Sequence, residues 1–491
     1  MTAGTALPLV EELTPAPDPV ALWRSLLDRP GLLWLDGAAD HQTLGRHSFL
    51  TCDPWALVRS TGAVTEVAVE GGAFARADGD VLQVVRELLA PHAMPARSDL
   101  PPFQGGAAGY IGYDWGRVLE RLPTPRYEDL DIPDVVLGIY DWTLAWDHQS
   151  NRAWLIATGT RGSGPPSPTQ AAQRLAEVRQ WLARPASAID RAPRAFETRS
   201  IERAPPTYPV AASEVSQQLG IRSTFSREQY LAAVTRVREY ILAGDIFQAN
   251  LSQRFEASLT ESPARLYERL RRVNPAPFAA WLDLGGVQVL SASPERFLRV
   301  DGGTGMVETR PIKGTRPRGT GPMHDLALGQ ALTESEKDRA ENLMIVDLLR
   351  NDLSRVCQAG TVRAPELFAL EHHPTVHHLV STVVGQLAPG RDATDLLRAA
   401  FPGGSITGAP KVRAMEIIAE LEPTRRGVYC GSIGYLGLDG SLDTSIVIRT
   451  CLIHAGRVLF QAGGGIVADS DPAEEYQETL DKARGLMNAL A

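Results

Sequence analysis

The chain has 491 residues, too many for one ordinary hydrophobic core, and this length predicts two or more domains. With 44% apolar and 22% charged residues, and no unbroken apolar stretch near the roughly 20 residues of a membrane span, the composition predicts a globular protein without a membrane role. A net charge of −9 without a cluster of basic residues excludes the footprint of a nucleic-acid-binding protein. The four cysteines are far apart, so we expect buried thiols. The first residues lack a secretory signal pattern, so we expect a cytoplasmic protein.

Lysine is scarce in this chain. Four of the 49 basic residues are lysines and the other 45 are arginines; the lysines are Lys313, Lys337, Lys411 and Lys482. Where arginine supplies nearly all the positive charge, a remaining lysine indicates a need that arginine does not meet, such as a neutral amine that attacks a substrate. Chance explains any single lysine equally well.

The first part of the chain is predicted to be an α+β domain, residues 1–183. Stretches rich in β-branched and aromatic residues predict strands at Leu32 to Leu35, Ala56 to Val58, Val64 to Val69, Val135 to Trp146 and Ala153 to Ala157. Amphipathic stretches predict helices at Val81 to Leu89 and Ala171 to Leu182. Residues 184–225 are dense in Pro, Ser and other polar residues, and we predict a linker there.

The second predicted domain covers residues 226–491. It begins with a predicted helix, Arg227 to Ala243, and Gly244 is suited to the position just past its end. A strand is predicted at Ile246 to Phe255. Near the end of the chain, Gly427 to Val467 is predicted to form a series of strands joined by hairpins.

Acidic residues recur at helical spacing before the stretch Leu343 to Leu353. Glu334, Asp338 and Glu341 are four and three positions apart, which predicts three carboxylates on one helix face. A hard cation such as Mg²⁺ prefers oxygen ligands of this kind. The spacing is a weak signal by itself.

A second acidic set lies on the predicted last helix, which starts with Asp471 as N-cap and Pro472 as first residue. The set consists of Glu475, Glu478 and Asp481. Acids near a helix start also complement the helix dipole, and this explains Glu475 better than Glu478, which lies beyond the first turn.

Two glycine-rich segments, Gly403 to Lys411 and Gln461 to Gly465, offer backbone amides that can bind an anion. Neither has the spacing of a phosphate-binding P-loop, so an anionic substrate fits them better than a nucleotide. Turn formation alone remains an alternative for each segment.

Lys313 stands directly between Ile312 and Gly314, with no acidic residue within four positions. This setting is unusual for a solvated surface lysine. It suggests an amine that acts as a nucleophile, although the sequence context alone does not decide between that role and a structural one.

Together these segments resemble the chorismate-utilising family, which includes the large subunits of anthranilate synthase and aminodeoxychorismate synthase and, more distantly, isochorismate and salicylate synthases. The resemblance is strong from residue 226 onward and looser before it. Its blocks in the strong part are GDIFQANLSQRF (244–255), SPERF (293–297), RPIKGTRPRG (310–319), ENLMIVDLLRNDL (341–353), HHLVSTVVG (377–385), FPGGSITGAPKVRAMEII (401–418) and QAGGGIVADSDP (461–472). In the first part they are GRHSFLTCDP (45–54) and GGAAGYIGYDWGR (105–117).

The resemblance implies a fold of two intertwined α+β domains, whose antiparallel β-sheets pack as a sandwich flanked by helices. It also implies a Mg²⁺ site at Glu341 and Glu478, with Asp338 and Glu475 as outer or water-mediated partners. The implied contacts to chorismate are Tyr435, Arg449, the amides of Gly463, Gly464 and Gly465, and Thr407, Gly408 and Lys482. His378 is similar to the histidine beside the reacting ring positions, and a structural role is its alternative.

The third residue of the block Pro-Ile-x-Gly-Thr separates branches of the family. Anthranilate synthases typically have alanine there and aminodeoxychorismate synthases lysine; this chain has Lys313. The resemblance therefore implies that Lys313 adds at ring C2 as the C4 hydroxyl leaves, and that ammonia then attacks C4 and expels the lysine. Glu295 corresponds to the general acid for the departing hydroxyl. The implied product is 4-amino-4-deoxychorismate, for folate synthesis.

The resemblance also implies a separate glutaminase subunit that supplies ammonia, because none of the four cysteines lies in the Gly-x-Cys-x-Gly turn of such an enzyme. Relatives can hold tryptophan in the N-terminal half, near positions comparable to Leu35 to Gly37 and His47 to Phe49. The serine of feedback-regulated relatives is replaced by Gly37, so we expect no inhibition by tryptophan.

Three other functions stay open at this stage. Anthranilate synthase component I would aminate C2 and release pyruvate. A non-catalytic amino-acid sensor would keep the fold without turnover. An unrelated lyase would use Lys313 to form a Schiff base.

Overall fold

The computed structural model describes residues 7–39, 43–184, 189, 204–211, 213–373 and 376–491. The strands in this part of the chain are β1 Leu9–Leu13, β2 Leu32–Asp36, β3 His47–Thr51, β4 Ala56–Thr61, β5 Val64–Val69, β6 Ala75–Ala77, β7 Gly106–Ile111, β8 Val135–Tyr140, β9 Trp142–Asp147, β10 Arg152–Ala157, β11 Tyr208–Pro209, β12 Arg222–Ser223, β13 Gln248–Ser258, β14 Phe278–Leu284, β15 Val287–Ser293, β16 Arg296–Val300, β17 Met306–Thr309, β18 Ile312–Pro317, β19 Arg363–His372, β20 Val376–Gln386, β21 Gly408–Ala409, β22 Ser432–Gly437, β23 Leu442–Ile446, β24 Thr450–His454 and β25 Arg457–Ile466.

The helices are α1 Pro19–Ser25, α2 Val81–Leu89, α3 Gly116–Leu119, α4 Pro168–Leu182, α5 Glu214–Gln218, α6 Arg227–Leu242, α7 Pro263–Val273, α8 Pro322–Glu334, α9 Glu336–Ser354, α10 Ala393–Ala400, α11 Lys411–Leu421 and α12 Pro472–Leu490. None of these helices is both long and apolar enough to cross a membrane. All four cysteines are buried and unpaired.

The strands form two large antiparallel sheets. The first has 13 strands in the order β1-β10-β9-β3-β2-β14-β15-β24-β25-β13-β12-β11, with β21 paired to β13. The second has 12 strands in the order β18-β20-β17-β16-β23-β22-β7-β8-β4-β5-β6, with β19 paired to β20. Each sheet contains strands from both halves of the chain: β2 pairs with β14 in the first sheet, and β7 pairs with β22 in the second.

A shared apolar core joins the two sheets face to face. It contains Leu33 and Ala280 from the first sheet and Tyr110, Val136 and Ile433 from the second, all buried. Helices α1, α4, α7 and α12 cover the outer face of the first sheet, and α2, α9 and α10 cover that of the second. The predicted fold of two intertwined α+β layers, packed as a sandwich and flanked by helices, is confirmed.

Several predicted elements have the expected limits. The strand Val64–Val69 and the helix Val81–Leu89 begin and end as predicted. Helix α12 starts at Pro472 with Asp471 as N-cap, whose side chain accepts hydrogen bonds from the amides of Ala473 and Glu474.

Two predictions of local structure were wrong. Glu334 is the last residue of α8, and Ser335 caps a new helix, α9, by accepting a hydrogen bond from the Asp338 amide at 3.2 Å. Glu334 therefore does not share a helix with Glu341. The stretch 135–146 is two strands, because the chain breaks at Asp141, a buried residue whose carboxylate accepts a hydrogen bond from Arg174 at 3.1 Å.

The predicted linker, 184–225, is folded over much of its described length. Strands β11 and β12 extend the first sheet, since β12 pairs with β13, and α5 lies between them. Residues 185–188, 190–203 and 212 lie outside the described residues. The domain limits 1–183 and 226–491 stay a prediction.

Candidate active site

The floor of the candidate site is the end of strand β25, where three glycines follow one another. Gly463, Gly464 and Gly465 pair with residues 250–252 of β13. A Cβ atom on Gly464 would lie 2.9 Å from Glu475 Oε2 and 3.1 Å from Glu478 Oε1, and one on Gly465 would lie 3.4 Å from Lys313 Nζ. Glycine is required here because carboxylates and an amine approach the strand from close range.

Lys313 reaches this floor from an irregular part of strand β18. The pairing of β18 with β20 shifts register between Ile312 and Thr315, so that Lys313 lies in a bulge, a feature that redirects a side chain. Gly314 has φ +87°, and a Cβ there would lie 3.0 Å from Asp338 Oδ1. The Lys313 side chain is half-buried, and its amine makes no hydrogen bond or ion pair with any described residue.

Glu475 and Glu478 lie at the floor beside Gly464, and the charge of Glu478 also acts on a third glutamate, Glu341. Glu341 comes from α9, and Glu475 and Glu478 come from α12. Burial raises the pKa of Glu341 and that of Glu475. Burial also acts to raise the pKa of Glu478, but the net shift is downward because of Lys482, whose Nζ lies 2.6 Å from Glu478 Oε1.

Glu475 has one satisfied oxygen and one free one. Its Oε1 accepts a hydrogen bond from Ser470 at 2.6 Å, while its buried Oε2 has no donor among the described residues. A buried carboxylate oxygen without a donor is costly unless a cation or water satisfies it.

These residues suit Mg²⁺ better than a metal that requires a closed protein cage. Within the described residues, no three His, Cys, Asp or Glu side chains converge as a ready metal site. Mg²⁺ is usually held by one or two carboxylates, with waters and substrate oxygens completing its shell. Glu341 and Glu478, with the free oxygen of Glu475 as an outer acceptor for a metal-bound water, fit that donor set.

Asp338 lies beside this group but has another partner. Arg316 donates a hydrogen bond to Asp338 Oδ2 at 2.8 Å. Because this oxygen is already engaged, the geometry of Asp338 suits a position outside the direct ligands of a metal ion.

Glu295 is buried at the end of strand β15, next to the same amine. Burial raises its pKa to about 7, although hydrogen bonds from Ser405 and the Ile312 amide and the charges of Lys313 and Lys482 oppose the shift. A carboxyl group that keeps its proton near neutral pH is suited to general acid catalysis.

Arg449 carries a positive charge that no carboxylate of the described residues neutralises. Its φ is +54°, and burial lowers its pKa, with the nearby Tyr429 acting in the opposite direction. Its guanidinium makes no hydrogen bond or ion pair with a described residue. A half-buried guanidinium of this kind can bind a substrate carboxylate through two hydrogen bonds.

His378 is buried close to Arg449. Thr315 Oγ1 lies 2.9 Å from His378 Nδ1, and burial, with the charges of His373 and Arg449, lowers its pKa to about 3. The imidazole is therefore neutral at physiological pH, so that it can accept or donate a hydrogen bond without adding charge.

The remaining predicted contacts surround the glycine floor. Lys482 Nζ donates to the Gly463 carbonyl at 2.9 Å. Thr407 is buried, its hydroxyl donates to the Gly403 carbonyl at 3.0 Å, and Gly408 pairs with Ala249 of β13. The structure thus brings together all predicted site residues except Tyr435.

Tyr435 was assigned to the wrong place. Its ring packs on Phe103 and Phe49, with centroid distances of 4.8 and 5.6 Å, and lines a separate cavity of about 330 Å³ between the sheets. Among the described residues, none of the other predicted site residues lines that cavity. Side chains alternate along strand β22, so the face that Tyr435 occupies is set by sheet packing that the sequence does not reveal.

Sequence reasoning missed four residues at the site: Tyr429, Ser405, Gln248 and Lys337. Tyr429 acts electrostatically on Arg449, and Ser405 donates a hydrogen bond to the Glu295 carboxylate. Gln248 is buried beside Gly465, and its Oε1 has no hydrogen-bond partner among the described residues. Two signals were available in the sequence: Gln248 and Ser405 lie within blocks of the family resemblance, and Lys337 is one of the four scarce lysines.

Comparison with known proteins gives the family. A model of the chorismate binding enzymes matches residues 42–488. The chain belongs to the chorismate-binding enzyme family. It is therefore an enzyme, as the sequence predicted.

Relatives of this chain within the family are named either aminodeoxychorismate synthase or anthranilate synthase. The chain is 44% identical over 91% of its length to aminodeoxychorismate synthase component 1 of Salmonella typhimurium, covering 90% of that protein. It is 45% identical over 80% of its length to anthranilate synthase component 1 of Thermus thermophilus, covering 79% of it. The solved structure of anthranilate synthase component I from Streptococcus pneumoniae superposes with a TM-score of 0.75 at 33% identity, with 90% of this chain and 92% of that one covered.

Proposed function

We propose that this chain is an aminodeoxychorismate synthase, which replaces the C4 hydroxyl of chorismate with an amino group to give 4-amino-4-deoxychorismate for folate synthesis. The observation that carries the proposal is the unpaired amine of Lys313, which meets the glycine floor at Gly465 beside the buried acid Glu295. The name of the Salmonella relative supports it.

Relatives of the two names have similar identity in the aligned part, 44% and 45%, but the aminodeoxychorismate synthase relative matches over more of both chains. The nature of residue 313 separates them better. An amine can form a covalent bond to the substrate ring, whereas an alanine at that position leaves the attack to ammonia alone.

In the proposed reaction the Lys313 amine, in its neutral form, attacks ring C2. The ring double bonds shift, the C4–oxygen bond breaks, and the hydroxyl leaves as water with a proton from Glu295. Ammonia then attacks C4, the double bonds shift back, the C2–nitrogen bond breaks, and Lys313 regains its amine. The enolpyruvyl group is retained.

The other side chains position the substrate. We assign Arg449, the amides of Gly463 to Gly465, and the Thr407–Gly408 turn to the carboxylates of chorismate. Glu341 and Glu478 would hold Mg²⁺, with Glu475 and Asp338 outside them, and the bound cation offsets the charge of a dianionic substrate among glutamates. His378, neutral at working pH, is suited to a hydrogen bond with the reacting ring.

Ammonia is proposed to come from a separate glutaminase subunit, and the relatives' designation as component 1 supports a second component. We place the assembly in the cytoplasm. The second cavity, with aromatic walls and a volume of about 330 Å³, is our proposed site for tryptophan as a bound ligand without an inhibitory effect.

The product identifies the reaction. Incubation with chorismate, Mg²⁺ and ammonium is expected to give a non-aromatic amine that an added lyase converts to 4-aminobenzoate. Fluorescent anthranilate would instead indicate the anthranilate synthase reaction. Absence of turnover at saturating ammonium would favour a sensor, and trapping of the protein by borohydride would favour a Schiff-base lyase.

A further inference from the structure

A buried ion pair lies directly behind the candidate site. Glu422, which follows α11, and Arg426, four residues later, are 6% and 3% exposed. Arg426 Nε donates to Glu422 Oε2 at 2.9 Å, and its Nη2 donates to Oε1 at 2.7 Å. Burying two charges costs free energy that their attraction often fails to repay, so stability alone is a weak reason for this pair.

The remaining hydrogen bonds of the Arg426 guanidinium go to two main-chain carbonyls. Nη1 donates to the Ile406 carbonyl at 3.0 Å, and Nη2 also donates to the Asn250 carbonyl at 2.6 Å. Ile406 directly precedes the Thr407–Gly408 turn, and Asn250 lies on β13 opposite Gly465 of the glycine floor. One guanidinium therefore connects the turn to the strand that pairs with the floor.

Glu422 and the Arg426 main chain attach the pair to both strands of the floor. Glu422 Oε1 accepts hydrogen bonds from the Ser252 amide at 2.8 Å and from the Ser252 hydroxyl at 2.9 Å. Ser252 pairs with Gly463, the first glycine of the floor. The Arg426 carbonyl accepts a hydrogen bond at 2.9 Å from Gln461, which lies on β25 just before the floor. The pair thus contacts β13, β25 and the turn at once.

The turn needs an external anchor because of its sequence. Residues 403–408 include three glycines, which lose more conformational freedom on folding than any other residue. Within this segment Ser405 donates a hydrogen bond to Glu295, the proposed general acid. Thr407 and Gly408 are proposed contacts to chorismate. A shift of the segment relative to the floor would therefore displace the partner of the acid and the substrate contacts together.

We propose that Arg426, held by Glu422, is a positioning residue that fixes the Thr407–Gly408 turn at the correct distance from the glycine floor, so that both contact one chorismate molecule. The inference rests on the proposed function for the identity of the substrate. It does not depend on which ring carbon is aminated, because both reactions require the same ring to be held. A misplacement of about 1 Å caused far from the reacting atoms can lower a rate by about 10²-fold.

The test uses two variants of the full chain. Arg426→Met combined with Glu422→Gln removes the hydrogen bonds to both carbonyls, leaves no unpaired buried charge, and keeps an oxygen acceptor for Ser252. Arg426→Lys keeps the positive charge beside Glu422, but a single ammonium lacks the planar fork that reaches the carboxylate and both carbonyls.

Arg254→Met is the matched control. Arg254 is also buried, and it donates to both oxygens of Asp129, a buried carboxylate outside the candidate site. Melting temperatures are measured by calorimetry. The values of kcat and KM are obtained from the consumption of chorismate with saturating ammonium, at a temperature where every variant is folded.

We expect kcat/KM for chorismate consumption to fall by about 10²-fold in the double variant and by about tenfold in Arg426→Lys. The loss should include a higher KM as well as a lower kcat, because substrate contacts and the partner of Glu295 move together. Arg254→Met should lower the melting temperature, since it leaves Asp129 without its cation. Its kcat/KM should stay within about twofold of wild type, because no substrate contact is removed.

The inference is overturned if the double variant and Arg426→Lys keep kcat/KM within about twofold of wild type. An equal loss of kcat/KM in Arg254→Met would also overturn it, because the loss would then follow from stability alone. If the double variant does not fold, Arg426→Lys and the control decide by the same criteria.

The same assay separates this inference from the proposed function. Formation of anthranilate by wild type would end the proposed function but leave the inference standing, because the consumption of chorismate is measured whichever product forms. A wild-type protein that consumes no chorismate would overturn both.

Discussion

The cavity between the sheets and the glycine floor differ in how several of their charged side chains are satisfied. In the cavity between the sheets, Asp36 accepts hydrogen bonds from Arg271 at 2.8 and 3.2 Å, and Asp443 accepts from Arg296 at 3.0 Å. At the glycine floor, Arg449 and Lys313 have no such partner among the described residues, and Glu475 keeps a buried oxygen without a donor.

This difference in charge pairing, rather than cavity volume, is our reason for placing the proposed reaction at the glycine floor. Charges that neutralise one another stabilise a wall, whereas charges left unsatisfied cost stability until a ligand binds them. A need to bind a ligand explains why the protein retains this loss of stability. The glycine floor is the region whose unsatisfied groups can receive the proposed anionic substrate and cation.

The largest expected effect comes from Lys313. Lys313→Ala should abolish amination at C4, since no other amine is left to add to the ring. Product formation with saturating ammonium is measured by chromatography, and the melting temperature should stay near that of wild type because the side chain is half-buried and unpaired. Undiminished formation of the same product would remove the basis of the proposed function.

The next effect concerns Glu295. Glu295→Gln keeps the shape but loses the proton donor, so kcat should fall by about 10²–10⁴-fold. The pH profile gives a second readout. Because burial raises the Glu295 pKa to about 7, the carboxyl keeps its proton below that pH, and wild-type kcat should decline relative to that of Glu295→Gln as pH rises through about 7.

The same decline should be absent in Glu295→Gln, whose amide does not titrate. The Lys313 amine and ammonia must also lose protons, so the two profiles are compared as a ratio. A ratio of wild-type to Glu295→Gln kcat that does not fall from pH 6 to pH 8 would assign a different role to Glu295. The profile is recorded with saturating chorismate, so that it reports the bound enzyme.

A paired experiment on two arginines tests the comparison itself. Arg449→Met should lower kcat/KM for chorismate by about 100-fold through loss of charge-assisted hydrogen bonds, with little change in melting temperature because no internal partner is lost. Arg271→Met should have the opposite pattern. It leaves the buried Asp36 without its cation, which should cost about 3 kcal/mol of folding free energy. Its kcat/KM should stay near the wild-type value.

Both variants are compared by calorimetry and by initial rates at several chorismate concentrations. If Arg449→Met lost stability and kept kcat/KM, its guanidinium would be structural, and the unsatisfied charges at the floor would no longer mark a substrate site.

The sequence predicted the fold and most of the site for different physical reasons. Helix α12 was predicted to its first residue because an N-cap aspartate and a following proline are local signals. The carboxylates of Glu341, Glu475 and Glu478 were predicted as a group through the family resemblance, and the structure brings them together from two helices.

The wrong predictions concern residues whose position depends on tertiary packing. Ser335 ends one helix and starts another, which separates Glu334 from Glu341 although their spacing is helical. Tyr435 and Tyr429 are six positions apart, and which of them approaches Arg449 depends on how strand β22 packs between the sheets. No periodicity in the sequence carries that information.

The smallest expected effect follows from the corrected position of Tyr435. Tyr435→Phe keeps the ring that packs on Phe103 and Phe49, and it lies in the cavity where Asp36 and Asp443 are ion-paired with arginines. We expect kcat/KM for chorismate to change by less than about twofold, since a substitution that removes no substrate contact leaves transition-state binding intact. Tyr429→Phe is the matched variant beside Arg449, and a clear loss there with none at Tyr435 would locate the substrate carboxylate at the glycine floor. A large loss in Tyr435→Phe would connect the two regions, because the hydroxyl of a residue in the cavity would then be contributing to the reaction at the other site.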